Sequence, residues 1–350
     1  MKERRCVQVG TVKIGGGERI KIQSMTTTKT SDLESTLSQI QALAAVDCDI
    51  VRVAICDEAD ALALKTLAEK SPLPIVADIH FSHRLATLAV ENGAHKIRIN
   101  PGNIGGEREV SYVADCVKAH HIPVRVGSNT GSIEKSFLEK YGKNELSLVE
   151  SALENARILE KCGVDKIVLS VKASSVPLTV KAYTLLAKKT EYPLHLGVTE
   201  AGANELGIVK SALGIGSLLL NGIGDTIRVS LTDEPRKEVE TAKWILRSCG
   251  LDNEFVEVVS CPTCGRCAWE SGALAKKVSE LVKPYKKRAK IAVMGCVVNG
   301  PGEAKDAELG IAGGNGSCLI FKHGEPLKKV AQEHAEEEFI KEIRKLLDGE

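Results

Sequence analysis

Four cysteines in two short segments have the spacing of metal ligands. Cys261, Cys264 and Cys267 lie within Cys-Pro-Thr-Cys-Gly-Arg-Cys, and Cys296 lies in Gly-Cys-Val-Val-Asn-Gly-Pro-Gly-Glu, which ends at Glu303. Two thiolates separated by two residues in a turn can bind one metal ion or two irons of a cluster, and a distant cysteine completes such a site. The pattern therefore predicts an iron–sulfur cluster with redox chemistry. The same spacing also permits a structural zinc ion.

The other cysteines show no spacing typical of disulfides. The chain has 11 cysteines, an odd number. In a reducing compartment most cysteines are free and behave as small, buried apolar residues. We expect this behaviour of the cysteines that lie in or beside apolar segments, which are Cys48, Cys56, Cys116, Cys162 and Cys318.

An arginine recurs between two β-branched residues on several predicted strands. The four segments are Val51-Arg52-Val53, Ile97-Arg98-Ile99, Val124-Arg125-Val126 and Ile227-Arg228-Val229. Because alternate residues of a strand face opposite sides, each arginine points away from its apolar neighbours. Arginine is almost never buried without a partner. The set therefore predicts a shared anion, for which guanidinium groups suit phosphate oxygens, although pairing with strand carboxylates such as Asp78 is the alternative.

Further polar residues lie at the C-terminal ends of the same strands, where barrel enzymes place their active sites. They include His80, Asn100, Asn129, Lys172 and the pair Thr199-Glu200. Lys172 alternates in phase with Ser170, as expected of a lysine that faces a pocket. Glu200 is predicted either to donate a proton or to pair with an arginine.

Strand-like and helical segments alternate between Ile20 and about Cys249. The strands are predicted at Ile20–Met25, Ile50–Ile55, Ile75–His80, Lys96–Asn100, Pro123–Gly127, Lys166–Val171, Leu194–Val198 and Thr226–Leu231, with helices such as Asp32–Ala45, Glu58–Glu69, His83–Asn92, Leu146–Lys161 and Pro177–Lys189 after them. Eight such units in roughly 230 residues predict an α/β fold, a (β/α)₈ TIM-like barrel. A doubly wound sheet fits less well, since no Gly-x-Gly-x-x-Gly follows the first strand.

The pattern changes near Cys249–Glu254. We therefore expect a barrel domain with the phosphate-binding pocket at residues 1–250 and a smaller α+β iron–sulfur domain at residues 251–350. Ahead of the barrel, Val7–Ile20 predicts a hairpin with Gly15-Gly16-Gly17 at its centre. In the second domain the predicted elements are strand Phe255–Ser260, helix Gly272–Tyr285, strands Ala289–Met294, Leu309–Ala312 and Ser317–Lys322, and a charged terminal helix from about Leu327.

Composition argues against several classes of partner. The formal net charge is +1 and aromatic residues make up 3% of the chain, so neither the charge nor the aromatic content favours binding to nucleic acid. No apolar run is long enough to span a membrane, and the charged first residues lack the apolar segment of a signal peptide. We expect a cytoplasmic protein that binds neither nucleic acid nor membranes.

These motifs together resemble one enzyme family over nearly the whole chain. The sequence is similar to bacterial 4-hydroxy-3-methylbut-2-enyl diphosphate synthases, iron–sulfur enzymes of the non-mevalonate isoprenoid pathway. The resemblance is carried by Gln23-Ser-Met-Thr26, Val51-Arg-Val53, Asp78-Ile-His-Phe81, Arg98-Ile-Asn-Pro-Gly-Asn103, Arg125-Val-Gly-Ser-Asn129, Thr199-Glu-Ala-Gly202, Gly222-Ile-Gly-Asp-Thr-Ile-Arg-Val-Ser230, Cys261-Pro-Thr-Cys-Gly-Arg266 and Gly295-Cys-Val-Val-Asn-Gly-Pro-Gly-Glu303.

The resemblance implies reductive opening of 2-C-methyl-D-erythritol 2,4-cyclodiphosphate at a 4Fe-4S cluster. It implies the cluster ligands Cys261, Cys264, Cys296 and Glu303, with Glu200 and Glu303 as catalytic residues. The implied substrate-binding residues are Arg52, His80, Arg98, Asn100, Arg125, Asn129, Lys172, Thr199, Arg228 and Ser230. Cys267 departs from the usual motif and makes a four-cysteine site the competing ligand set. A non-redox, phosphate-binding barrel enzyme with a structural zinc domain is the alternative function.

The order of the domains predicts a homodimer. The last barrel helix, about Glu234–Arg247, returns the chain to the bottom of the barrel, and the six-residue linker that follows reaches about 20 Å when extended. The barrel helix itself spans about 21 Å, so a linker of this reach is too short to return around the barrel, and the cluster domain cannot readily reach its own pocket. We expect a head-to-tail pair with active sites shared between chains, as the resemblance also implies. The sequence contains no nicotinamide or flavin fingerprint, so flavodoxin or ferredoxin is the expected electron donor.

Overall fold

The computed structural model describes residues 4–131, 133–261, 264–267, 269–297 and 300–349. The chain separates into two units, Met1–Leu251 and Asp252–Glu350. Within the described residues, no helix is both long enough and apolar enough to cross a membrane.

The first unit is the predicted TIM-like barrel. Eight parallel strands pair in the order β8-β7-β6-β5-β4-β3-β10-β9, and a parallel bridge between Leu169 and Leu194 brings the two ends of the sheet together. The strands, numbered in chain order, are β1 (Val7–Val9), β2 (Val12–Ile14), β3 (Lys21–Met25), β4 (Ile50–Ile55), β5 (Ile75–Ile79), β6 (Lys96–Ile99), β7 (Val124–Asn129), β8 (Ile167–Lys172), β9 (His195–Leu196) and β10 (Thr226–Ile227). All eight predicted barrel strands are present, although β9 and β10 are shorter than expected.

Helices surround the barrel strands. They are α1 (Leu33–Ala44), α2 (Glu58–Lys70), α3 (His83–Glu91), α4 (Pro101–Ile104), α5 (Glu107–Ala119), α6 (Lys135–Tyr141), α7 (Glu145–Lys161), α8 (Val176–Lys189), α9 (Asn204–Leu220) and α10 (Pro235–Ser248). Short polar residues begin several of them: the side chains of Asp32, Asp57, Ser82 and Ser175 each accept a backbone N–H from the first turn. Such caps satisfy N–H groups that have no partner inside the helix.

The apolar residues of the strands face the surrounding helices. The residues that alternate with them along each strand therefore face the barrel interior. Val51, Val53, Val124 and Val126 are fully buried in the core beneath the helices. The arginine between each valine pair therefore points into the barrel, as the alternation predicted.

The N-terminal hairpin covers the bottom of the barrel. Strands β1 and β2 pair antiparallel, and Val9 and Ile14 pack against Ile50 and Val76 near the N-terminal ends of β4 and β5. The hairpin was expected, but its centre was wrong: the chain turns at Gly10, which has φ 54°, and the three glycines Gly15–Gly17 follow β2. Their positive φ angles lead the chain from the hairpin toward β3.

The second unit is built on a mixed five-stranded sheet. The strands are β11 (Val256–Ser260), β12 (Ala289–Met294), β13 (Leu309–Gly313), β14 (Ser317–Lys322) and β15 (Glu325–Ala331), and the helices are α11 (Ser271–Val282), α12 (Gly300–Glu303) and α13 (Ala335–Asp348). The first three strands are parallel and the last two are antiparallel additions. Helices α11 and α13 pack on one face through residues such as Val278 and Phe339, and a smaller cluster around Phe321 covers the other.

Two expectations are corrected by these elements. The terminal helix does not begin near Leu327, because residues 325–331 form strand β15 along β14 and the helix begins only at Ala335. Strand β15 is exposed along most of its length and carries lysines, a pattern that suits a sheet edge as well as a helix surface. Cys56 is exposed rather than buried, because it follows β4 at the end of the strand.

Candidate functional site

Positive charge collects inside the C-terminal end of the barrel. Arg52 lies on β4, Arg98 on β6 and Arg125 on β7, while Lys172 ends β8 and Arg228 follows β10. Arg52 interacts electrostatically with Arg98 and Arg228, and Lys172 interacts with all four arginines. Burial and these neighbouring cations lower the pKa of Lys172. The barrel thus brings together five of the predicted binding residues from different strands.

Two carboxylates compensate part of this charge. Asp78 on β5 accepts a hydrogen bond from Arg98 Nη1 at 3.1 Å, and its other oxygen lies 3.6 Å from Arg52 Nε. Burial would raise the pKa of Asp78, but Arg52, Arg98 and Arg125 outweigh it and lower the pKa to about 2. The sequence left pairing with Asp78 as the alternative to an anion site. Arg98 and Arg52 do pair with Asp78 in this way.

Glu238 on α10 is the second carboxylate, and the sequence analysis missed it. It accepts from Arg228 Nη2 at 3.1 Å, from the N–H of Leu231 at 3.0 Å and from Ser24 Oγ at 3.0 Å. Burial raises the pKa of Glu238, and this outweighs the lowering of the pKa by the charge of Arg228. The only signal in the sequence was a glutamate in the first turn of an amphipathic helix, a position where acidic residues are common for other reasons.

Five cations against two carboxylates leave an excess of positive charge. Arg125 is 2% exposed, and its Nε and Nη1 have no hydrogen-bond partner among the described residues. Within the same described ranges, Arg98 Nε and Arg228 Nε also lack partners. Buried donors of this kind are costly unless a ligand or water satisfies them. The arrangement therefore suits an anionic ligand.

The remaining predicted pocket residues lie around these cations. His80 follows β5, with Nε2 2.8 Å from Arg98 Nη1, and burial lowers its pKa. Asn100 follows β6 and its Oδ1 accepts the N–H of Gly102, while its Nδ2 has no partner in the described part of the chain. Asn129 ends β7 beside Lys172 on β8.

Three more predicted residues follow β9 and β10. The N–H of Thr199 donates to the carbonyl of Ala173, and Ser230 Oγ accepts from Arg228 Nη1 at 2.5 Å. Glu200 is exposed and has φ 51°, a left-handed conformation that is uncommon outside glycine. Among the described residues its carboxylate forms no ion pair or hydrogen bond.

A second set of buried polar groups lies on the interior face of the same barrel strands. Lys96 Nζ, His195 Nε2 and both side-chain polar atoms of Gln23 are buried without a hydrogen-bond partner among the described residues. Lys96 is two residues before Arg98, so it shares its face of β6. The sequence analysis did not select Lys96 or His195, although their alternation with pocket residues was visible.

The cysteine segments meet at one edge of the sheet in the second unit. Cys261 follows β11 and Cys296 follows β12, and these two strands are parallel neighbours with Ser260 opposite Val293. The N–H of Gly295 donates to Cys261 Sγ at 3.0 Å. Residues 262, 263, 298 and 299 of the two motifs lie outside the described residues.

Arg266 connects the other predicted ligands. Its side chain interacts with Cys264, Cys296 and Glu303, and these groups raise the pKa of Arg266. Hydrogen bonds from Arg266 lower the pKa of Cys264, which is exposed. Within the described residues, no three acidic, cysteine or histidine side chains are already placed as a metal site. The donor chemistry of three thiols and one carboxylate nevertheless fits iron.

Cys267 has other partners. Its thiol lies 3.1 Å from the carbonyl oxygen of Trp269 and 3.3 Å from Ser271 Oγ. A carbonyl oxygen can only accept, so the Cys267 thiol is the donor of this hydrogen bond. Trp269 in turn donates its indole N–H to the carbonyl of Met294, at 3.1 Å, which joins this segment to the end of β12.

Comparison with known protein families decides the identity of the chain. A model of the GcpE TIM-barrel domain matches residues 4–243, and a model of the GcpE protein C-terminal domain matches residues 257–345. The chain belongs to the GcpE family. The resemblance inferred from the motifs is thereby confirmed.

Curated relatives match over their full length. A protein of Caldanaerobacter subterraneus subsp. tengcongensis is 53% identical over 100% of this chain and 99% of its own. Those of Clostridium perfringens, 52% identical over 98% of both chains, and of Brevibacillus brevis, 50% identical over 99% and 97%, carry the same name. All three are named 4-hydroxy-3-methylbut-2-en-1-yl diphosphate synthase (flavodoxin). This member of the GcpE family is accordingly an enzyme, as expected.

Solved structures confirm the barrel fold. A truncated 3-deoxy-D-arabino-heptulosonate 7-phosphate synthase from Thermotoga maritima aligns with a TM-score of 0.52 at 16% identity, covering 71% of this chain and 94% of its own. A type I 3-dehydroquinate dehydratase from Clostridium difficile gives 0.52 at 13% identity, covering 71% and 98%. At such identities the likeness concerns the fold alone.

Proposed function

We propose that this chain catalyses the reductive opening of 2-C-methyl-D-erythritol 2,4-cyclodiphosphate to 4-hydroxy-3-methylbut-2-enyl diphosphate. Two electrons enter, a ring C–O bond breaks, and one hydroxyl group leaves as water after protonation. The observation that carries the proposal is the excess of buried cations in the barrel of a GcpE-family chain. A compact cyclic diphosphate supplies the negative charge that this pocket lacks.

In this proposal the barrel binds and orients the diphosphate. Arg125 directs its unpartnered Nε and Nη1 toward the anion, and Arg98 and Arg228 contribute further free donors. The other binding residues are Arg52, His80, Asn100, Asn129, Lys172, Thr199 and Ser230. Asp78 and Glu238 hold the arginines in place, because ion pairs fix the orientation of guanidinium groups.

We assign Glu200 the role of proton donor. The sequence left two roles open, a proton donor or a partner of an arginine. Its carboxylate forms no ion pair among the described residues, which favours the first role. A side chain that is not held in an ion pair is free to approach the leaving hydroxyl and take part in proton transfer.

Cys261, Cys264, Cys296 and Glu303 would hold a 4Fe-4S cluster at the sheet edge of the second unit. Such a cluster, when bound, supplies electrons and one iron that a substrate oxygen can reach, because carboxylate exchanges from iron more easily than thiolate. The hydrogen bond from Gly295 to Cys261 Sγ positions one ligand, and Arg266 offsets negative charge near the others.

Glu303 is our proposed fourth ligand because the chain keeps the whole Gly-Pro-Gly-Glu segment, while the Cys267 thiol already has an acceptor in the carbonyl of Trp269. We expect Glu303→Ala to lower cluster iron and abolish activity, while Cys267→Ser keeps iron close to four per chain. The reverse result, with iron lost only in Cys267→Ser, would replace Glu303 by Cys267.

Flavodoxin is the proposed electron donor, with ferredoxin as a second small carrier of the same kind. The names of the relatives, which include flavodoxin, support this donor. Basic residues are exposed on and after α11, among them Lys276, Lys283 and Arg288. They would steer an acidic carrier, so the reduction rate should fall steeply with added salt.

We also propose a homodimer in which the barrel of one chain is completed by the cluster domain of the other. The link between α10 and β11 is short, as the sequence analysis required. Helix α9 supports an association between barrels, because an apolar stripe of Leu206, Val209, Leu213 and Leu220 is between 50% and 71% exposed. Exposed apolar stripes on helices commonly mark interfaces, and this one repeats along a single helix face.

One anaerobic experiment tests the function. Chain purified without oxygen should be brown, contain iron and sulfide near four each, and convert the cyclic diphosphate when a reductant is supplied. A colourless chain that binds a single zinc ion and shows no reductive turnover would favour a phosphate-binding barrel enzyme with a structural zinc domain. An Arg125→Met chain, with the cluster segment intact, is the control that keeps iron but loses turnover.

A further inference from the structure

Cys267 lies close to one of the proposed cluster ligands. Its backbone N–H donates to the carbonyl of Cys264 at 2.9 Å, so the chain turns back after the first cysteine pair. This turn returns the sulfur of Cys267 to the sheet edge where β11 and β12 end. The hydrogen bonds of its thiol to Trp269 and Ser271 hold it there.

Two sulfur atoms lie beside Gly295. A Cβ atom at this position would lie 2.7 Å from Cys267 Sγ and 3.4 Å from Cys261 Sγ. The missing side chain therefore leaves a small volume against which both sulfurs lie. Cys264, although closer to Cys261 in sequence, is exposed and hydrogen bonded to Arg266 instead.

We propose that Cys261 and Cys267 form a disulfide when a chain without its cluster meets a peroxide. Hydrogen peroxide oxidises one thiol to a sulfenic acid and releases one water. The second thiol then attacks that sulfur, the S–O bond breaks and a second water leaves. Two thiols and one peroxide thus give one disulfide and two waters, with no other reactant.

This bond protects a ligand cysteine at the moment when it is exposed to damage. Without a partner, a sulfenic acid at Cys261 can be oxidised further to sulfinic acid, which is not readily reversed. Formation of the disulfide stops the oxidation of Cys261 at a state that a dithiol reductant can reverse. Until it is reduced, the disulfide blocks insertion of the cluster. Its formation does not depend on the substrate, so it stands or falls separately from the proposed reaction.

Peptide mapping of the full chain tests the pairing. The cluster-free chain is treated with hydrogen peroxide, alkylated without reduction and digested with trypsin. Cleavage gives peptides 248–266 and 267–276, because arginine or lysine ends each segment. A Cys261–Cys267 disulfide links the two peptides, whereas a Cys261–Cys264 disulfide stays within the first. We expect the linked pair, and its loss when dithiothreitol is added before alkylation.

Matched variants identify the partner. The link should persist in Cys264→Ser and disappear in Cys261→Ser. A disulfide confined to peptide 248–266, a link that survives Cys261→Ser, or full alkylation of Cys267 after peroxide would each overturn the proposal. Iron uptake provides a second measurement: after peroxide, the wild-type chain should bind less than about a tenth of its iron until dithiothreitol is added. Rapid uptake without dithiothreitol would contradict the proposed block.

Discussion

Replacing Asp78 by asparagine should destabilise the unliganded barrel by about 2 kcal/mol. Its carboxylate is 9% exposed and pairs with Arg98 at 3.1 Å and Arg52 at 3.6 Å. These cations lower the pKa of Asp78 from 3.8 to about 2. Each unit of such a shift corresponds to about 1.4 kcal/mol of folding free energy, which gives the predicted loss. Asparagine keeps the shape and removes the charge.

The effect should depend on pH in a defined direction. Because the pKa of Asp78 is lower in the folded chain, its contribution is fully present above about pH 4 and is lost as the pH falls toward 2. The difference between wild type and Asp78→Asn should therefore persist from pH 7 to pH 4 and shrink below. Pyrophosphate, which replaces the missing negative charge, should stabilise the variant more than the wild type.

Urea unfolding followed by tryptophan fluorescence provides the assay. Each unit contains one of the two tryptophans, Trp244 in the first and Trp269 in the second. Placing both proteins in a Trp269→Phe background makes the signal report the barrel alone. Asp115→Asn is the control, because its ion pair with Lys118 is largely exposed and contributes little. Equal stability of Asp78→Asn and wild type at pH 7, or equal stabilisation of both by pyrophosphate, would refute the reasoning.

Three further predictions concern the pocket and the dimer. Arg125→Met should weaken substrate binding at least about a hundredfold while leaving the unliganded barrel as stable or more so, because a buried cation with two unsatisfied donors is removed. Calorimetric binding and urea unfolding check this, and a destabilised barrel would contradict it. Mixing inactive Arg98→Ala and Cys296→Ser chains should restore part of the activity, and no recovery after proven subunit exchange would exclude a shared site. Leu213→Asp should shift the chain toward monomer in sedimentation, unlike Leu62→Asp at a similarly exposed position, 55% against 58%; equal behaviour of the two variants would argue against α9.

The periodic pattern of the sequence was sufficient to predict the barrel and the inward direction of its arginines. Alternation along β4, β6 and β7 is local, and it places Arg52, Arg98 and Arg125 opposite buried valines and isoleucines without any knowledge of tertiary contacts. The cysteine spacing is local in the same sense. The direction of the arginines could be predicted because alternate residues of any strand face opposite sides, wherever the strand lies in the fold.

Contacts between residues that are far apart in the sequence could not be predicted from this local pattern. The sequence offered Asp78 as one possible partner, but only the structure shows that it pairs with both Arg52 and Arg98. Only the structure shows that Glu238, far along the chain on α10, pairs with Arg228. Edge strand β15 likewise depends on its neighbour β14, since its own residues suit a helix surface equally well.

For the cysteine site, too, the sequence determined one part and the tertiary structure another. The spacing of Cys261, Cys264 and Cys296 determined that a metal centre was expected, but it also made Cys267 a competing ligand. Only the folded sheet edge places Cys267 with Trp269 as its acceptor and Gly295 beside its sulfur. A thiol is a ligand or a hydrogen-bond donor according to the atoms around it, and those atoms come from two strands and a turn that the fold brings together.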